Sequence, residues 1–111
     1  MNGASLFDEM AAQWTKELEK GLQFLEKQLR EYGRAIEGIP DSEEYRQLMR
    51  SLQEWAEEMA RSSEDARQKV EKKWLPLIEK QIEALRQWMR ERGLKEDLAP
   101  IEKEVERIRN I

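Results

Sequence analysis

Carboxylates are the only abundant side chains in this 111-residue sequence that could do acid–base or metal chemistry. The chain holds 24 aspartates and glutamates but no histidine and no cysteine. Helical di-metal sites need Glu-x-x-His pairs, and thiolate zinc sites need cysteine. A glycosidase-type carboxylate pair needs a cleft that desolvates one acid, which a chain this short rarely provides. We therefore predict that the protein is not an enzyme and that it binds no metal and no cofactor.

The charge of the chain is −4 overall and is unevenly distributed. Residues 1–61 carry 13 acidic and 8 basic side chains, whereas residues 62–111 carry 11 and 12. An acidic first half repels phosphate, which argues against nucleic-acid binding. No apolar run is long enough to form a transmembrane segment, and residues 1–5 show no secretory signal, so we expect a cytoplasmic location.

A single apolar stripe predicts a long first helix over residues 6–37. A capping pattern of Ser5 with Asp8 marks its start, and Gly38 provides its stop. The members of the stripe recur at steps of three and four: Phe7, Ala11, Trp14, Leu18, Leu22, Leu25, Leu29, Tyr32 and Ile36.

A second helix is predicted over residues 42–61, with Asp41 as its N-cap. The apolar pattern then fades, and Ser62 and Asp65 show the spacing of another cap, so we predict a break near Ser62. The alternative is one continuous helix from residue 42 to about residue 92. Such a rod would extend past its partner helix and need a dimer to cover it.

A third helix is predicted over residues 63–92, ending at Gly93. Pro76 removes one amide donor and disfavours helical geometry at Leu75. We therefore predict a kink or a new helix start near residues 74–76.

The last predicted helix spans residues 96–110, with Glu96 or Asp97 as N-cap and Pro100 in the first turn. Its apolar stripe is narrow and too short to hold alone, so it must pack on the rest of the chain or on a second copy. Together the four segments predict an all-α fold, a single domain over residues 1–111. Its architecture would be an antiparallel bundle of three to four helices with a long first helix.

The four tryptophans are the unusual feature of the composition. Trp14 and Trp55 fall on their helix stripes, as core residues do. The apolar residues around Trp74 and Trp88 cover more than one helix face, and surplus aromatic and methionine surface is typical of contact surfaces. Simple core is one interpretation. The other is an interaction patch, for a protein partner or for self-association as a homo-oligomer, made of Trp74, Leu75, Ile78, Trp88 and Met89. A small-molecule pocket lined by these tryptophans is a further alternative.

Four segments occur in a recognisable order: residues 42–45 (Ser-Glu-Glu-Tyr), Leu48-Met49, the stretch around Trp74, and residues 98–100 (Leu-Ala-Pro). In this order they resemble accessory subunits of polyhydroxyalkanoate synthases and their phasin-like relatives. The threonine–arginine pair expected beside that proline is absent. The resemblance implies a helical protein without catalysis that binds a synthase or a polymer surface.

The composition also bears on the origin of the chain. Glutamate outnumbers aspartate five to one, and cysteine and histidine are absent, which suits a de novo designed helical bundle or binder. Internal glycines and the irregular segment at residues 61–65 suit design less well. Both origins stay open on the sequence.

Overall fold

The computed structural model describes residues 4–61, 65–95 and 97–111, with the side chains of all of these except residues 4, 5, 7 and 8. Its helices are α1 (Ala4–Ala35), α2 (Glu43–Arg61), α3 (Ala66–Lys69), α4 (Leu75–Glu91) and α5 (Ala99–Arg109). A 3-10 turn (Ile39–Asp41) precedes α2, and a π-helical segment (Val70–Trp74) joins α3 to α4. No described residue lies in a strand, so the predicted all-α class is confirmed.

The helices form an antiparallel bundle with four arms. Tyr45, near the start of α2, donates its hydroxyl hydrogen bond to the carbonyl of Leu29 near the end of α1, at 2.8 Å. Trp74, the last residue of the π-helical segment, donates its indole hydrogen bond to Glu58 near the end of α2. The third arm consists of α3, the π-helical segment and α4. The fourth arm, α5, packs along both α1 and α4 and closes the ring.

The core lies where the four arms meet, and the apolar stripes supply it. The stripe of α1 is buried from Leu18 to Leu29, and each such side chain contributes about 1.5–3 kcal/mol of stability. The narrow stripe of α5 is buried within the same chain, which is one of the two arrangements expected for it. The buried side chains of α5 and its preceding residue are Leu98, Ile101, Val105 and Ile108.

The turn from α1 to α2 depends on one glycine and one serine. Gly38, which lies after the end of α1 at Ala35, has φ +88°, a left-handed conformation that leads the chain into the 3-10 turn at low steric cost. The buried Ser42 then caps α2, because its Oγ accepts the amide hydrogen of Tyr45 at 3.2 Å. Asp41, which we predicted as the cap, lies in the 3-10 turn instead. The cap is therefore one residue later than predicted.

A second reversal separates α2 from α3. The first helix of the pair ends at Arg61 and the next begins at Ala66, after Asp65 in the left-handed conformation with φ 57°. Ser62 lies outside the described residues, and so do the side chains of Ser5 and Asp8. Because α2 packs along α4, the chain folds back here, and the continuous helix over residues 42–92 is not formed.

The π-helical segment accommodates Pro76. The amide of Leu75 bonds to the carbonyl of Val70, five residues back, so the backbone is already widened where the proline ring enters. Leu75 keeps helical angles (φ −60°, ψ −48°), so its predicted departure from helical geometry is wrong. The α-helical pattern begins anew at Leu75, with Pro76 in its first turn.

The fourth arm begins later than predicted. Gly93, with φ +66°, ends the third arm, and the amide of Leu94 bonds back to the carbonyl of Met89 at 3.0 Å. α5 then starts at Ala99, with Leu98 at the cap position and Pro100 in the first turn. Glu96 lies outside the described residues, and no side chain caps this helix.

Gly33 marks a close approach between α1 and α2. Glycine inside a helix costs about 1 kcal/mol relative to alanine, and either close packing or indifference could explain it. A Cβ on Gly33 would stand 2.7 Å from the Tyr45 hydroxyl oxygen, and one on Gly21 would stand 2.8 Å from side-chain atoms of Ile108. Close packing is therefore the reason at both positions.

The contact between Gly33 and Tyr45 can be tested with a double-mutant cycle. In the otherwise unsubstituted protein, Gly33→Ala should displace the Tyr45 hydroxyl from the Leu29 carbonyl. Losing this hydrogen bond costs about 1 kcal/mol of stability, which cancels the gain in helix propensity. In a Tyr45→Phe background the same change should stabilise the protein by up to about 1 kcal/mol. Urea unfolding measures both differences, and equal effects in the two backgrounds would show that the hydroxyl is not in the way.

Candidate interaction surface

The structure brings the five predicted patch residues together, but it places them inside the bundle. Trp74, Leu75, Ile78 and Met89 are buried, and Trp88, the most accessible of the five, is 8% exposed. The face of α4 that carries them is covered by α2. These residues therefore do not form an exposed apolar patch. The surplus apolar surface around Trp74 packs against neighbouring helices instead.

The centre of this packing is a pair of tryptophans. The rings of Trp55 and Trp74 stack with their centroids 5.9 Å apart and their planes 3° from parallel. Aromatic pairs in offset stacking add about 0.5–1.5 kcal/mol to what burial contributes. Trp55 is in the core, as expected, and the two rings leave no room between them for a small molecule.

The carboxylate of Glu58 holds the Trp74 ring of this pair in place. Glu58 accepts the indole hydrogen bond of Trp74 and forms ion pairs with Lys73 at 3.4 Å and Lys69 at 3.7 Å. Burial acts to raise the pKa of the Glu58 carboxyl, but the hydrogen bonds from Trp74 and Lys73 and the two lysine charges outweigh it. The pKa of Glu58 therefore lies below its ordinary value, and the ionised form stabilises the fold.

Trp88 is covered by a cation. The guanidinium carbon of Arg92 stands 4.0 Å from the centroid of the Trp88 ring, and its Nη1 donates to the Trp88 carbonyl at 3.2 Å. This arrangement shields the ring from solvent and uses the long arginine stem as apolar cover.

The uncovered apolar surface lies elsewhere, at the start of α1. Leu6 is 60% exposed and Met10 is 58% exposed, whereas the stripe is buried only from Leu18 onward. The side chains of residues 9–13 are all exposed, and Trp14 is half-buried against the core. The first turns of α1 therefore extend past the ends of the other arms, and Ala11, predicted on the core stripe, is exposed with them.

These side chains line an open groove of about 610 Å³, which we call the end groove. Leu6, Met10 and Trp14 form its wall on α1, and Ile111 is its other apolar lining residue. The polar side chains of the end groove are Glu9, Gln13, Glu17 and Arg67.

The charges of the end groove differ in how they are used within the chain. Glu17 is held by Arg107 at 3.2 Å. The guanidinium of Arg67 stands 5.1 Å from the centroid of the Trp14 ring, which is a cation–π contact. Neither Arg67 nor Glu9 forms an ion pair with another described residue. The end groove therefore presents an apolar wall with one charge of each sign that has no ion-pair partner among the described residues.

Sequence reasoning missed Leu6 and Met10 as surface residues. Their signal was present: Leu6 and Met10 lead at steps of four to Trp14 and lie beside Phe7 and Ala11 of the predicted core stripe. These two residues made the apolar face of the first turns as broad as a core face, although the structure leaves both of them more than half exposed.

The carboxylates between α4 and α5 face arginines. Glu83 and Glu102 both pair with Arg86, and Glu79 pairs with Arg109. Within the described ranges, no three metal-binding side chains are grouped so that they could hold an ion. None of the described helices combines the length and the apolar character that crossing a membrane requires.

Comparison with family models, with curated proteins and with solved structures returned no match to this chain. The resemblance to synthase accessory subunits accordingly stays a prediction.

The role of Glu58 predicts a pH-dependent mutant effect. Glu58→Gln keeps the shape but removes the charge, so it should destabilise the protein by about 1 kcal/mol at pH 7. Because the folded pKa lies below the unfolded value of about 4.3, this stability is present above pH 4.3 and is lost as the pH falls through the folded pKa. Urea unfolding of both proteins at pH 7 and pH 3 should show the difference shrinking toward zero, whereas an equal difference at both values would contradict the assignment.

Proposed function

We propose that this protein is a non-enzymatic helical interaction module that binds the apolar face of another helix in its end groove. The observation that carries the proposal is the exposure of Leu6 and Met10 on a chain whose other large apolar side chains are mostly buried. Contiguous exposed apolar surface rimmed by polar groups is typical of interaction sites.

The form of the end groove supports a helix as its occupant. An amphipathic helix binds through side chains spaced at three and four residues, and Leu6, Met10 and Trp14 offer a matching line of apolar contacts. Trp14 supplies a large rigid surface of the kind that dominates binding energies, and Met10 adapts its shape to a partner. Arg67 and Glu9 at the rim can then set orientation.

The remaining described features support binding rather than catalysis. The glutamates between α4 and α5 are paired with arginines. The stacked Trp55 and Trp74 rings fill the space that a small-molecule pocket between them would need. An open groove also suits an extended apolar partner better than a small enclosed ligand.

The proposal predicts binding of an amphipathic helical peptide. A fluorescein-labelled leucine–lysine peptide should bind the protein, as measured by fluorescence anisotropy, and Leu6→Asp or Met10→Asp should each weaken binding about tenfold because each removes a buried apolar contact. Phe24→Asp is the matched control. Phe24 is also exposed, at 38%, adds the same charge when replaced, and lies outside the end groove.

The added negative charge makes this a conservative test, because it attracts the lysines of the peptide. Circular dichroism confirms that each variant is folded. The proposed function would be contradicted if the unsubstituted protein failed to bind the peptide. It would also be contradicted if Leu6→Asp, Met10→Asp and Phe24→Asp bound it equally well.

A further inference from the structure

We infer that the helix occupying the end groove is α1 of a second copy of this chain, which runs antiparallel across a two-fold axis beside Met10. This inference rests on the proposed function and names its partner. Leu6 of each copy would then lie against Trp14 and Ile111 of the other, and the two Met10 side chains would meet on the axis.

The spacing along α1 is self-complementary in this arrangement. Leu6 and Trp14 each lie four residues from Met10, so an antiparallel pair centred on Met10 aligns Leu6 with Trp14 twice. A two-fold contact requires this property, because residue i must meet residue j while j meets i. The same register places Glu9 opposite the small side chain of Ala11, so no like charges face each other on the seam.

The same register pairs Arg67 with Glu9, neither of which has an ion-pair partner among the described residues of one copy. Arg67 lies over Trp14, so the partner's Leu6 arrives beside it. Glu9 lies one helical turn beyond Leu6 on the same face, which brings the partner's Glu9 near Arg67. By symmetry the pair forms twice. A parallel pair would instead place the two Glu9 carboxylates at the same level, where they repel each other.

The extent of the surface limits the strength of this dimer. From Leu6 to Trp14 the helix advances about 12 Å, a little over two turns. Contacts of this size fall below the 1,200 Å² or so of a stable complex, and they give weak, reversible association. We therefore expect a dissociation constant on the order of tens to hundreds of micromolar.

The first test measures self-association by sedimentation velocity over a wide range of protein concentration. The unsubstituted chain should pass from monomer to dimer, and Leu6→Asp with Met10→Asp should stay monomeric. Glu9→Arg and Arg67→Glu should each weaken the dimer about tenfold, because every dimer holds two such pairs. The combined reversal, Glu9→Arg with Arg67→Glu, should restore it, while Glu54→Arg, on an exposed position of α2, should have no effect.

The second test uses the absence of cysteine from the chain. A single Met10→Cys substitution lies on the proposed axis, so mild oxidation should join two copies by a disulfide. A Gln13→Cys substitution also lines the end groove, but the two sulfurs would be offset by about 9 Å along the pair and should not join. Equal cross-linking at both positions would indicate a parallel pair and overturn the inference.

The outcomes separate the two proposals. If the protein binds the leucine–lysine peptide yet stays monomeric at every concentration, the second copy is not the occupant and the proposed function stands. If it neither binds the peptide nor dimerises, both proposals fall. If it dimerises but the combined charge reversal does not restore the weakened dimer, the antiparallel register is overturned.

Discussion

The stacking of Trp55 on Trp74 is the contact on which the rest of the structure depends. It holds the end of α2 against the start of α4, and Glu58 fixes it by accepting the indole hydrogen bond. Because one ring lies on α2 and the other follows α3, their contact holds as two arms a sequence that could continue as one helix. With α2 folded onto α4, the apolar face of α4 is sealed within the chain, and the space that remains is closed by α5 on the other side.

The helices of the bundle differ in length, and this difference leaves the first turns of α1 exposed. α1 has 32 residues, about 48 Å, whereas α2 has 19 and α5 has 11. The partners can cover the end of α1 that lies near Leu29, but not its first turns. Leu6 and Met10 are exposed for this reason, and the surface available for binding is set by the ends of the bundle rather than by its sides.

Local sequence patterns predict much of the fold. The helix period of Leu18, Leu22, Leu25 and Leu29 predicts a buried face without knowledge of the neighbouring helices. Gly38 turns the chain after α1 and Gly93 ends the third arm, because glycine adopts a positive φ at low steric cost. The N-cap was displaced from Asp41 to Ser42, because both residue types can cap and the 3-10 turn decides between them. Local patterns could not show that Trp74 is buried and that Leu6 is exposed. Both lie on apolar helix faces, and only the lengths and positions of the other arms determine that the first is covered and the second is not.

The central claim, a sealed face on α4 and an open face at the start of α1, is tested most directly by methionine oxidation. Met10 and Met89 lie on these two faces, one largely exposed and the other fully buried. In dilute solution, brief treatment with hydrogen peroxide followed by mass spectrometry should show Met10 converted to the sulfoxide rapidly, while Met89 stays unmodified until the protein unfolds. Equal oxidation of the two residues in the folded protein would contradict the account.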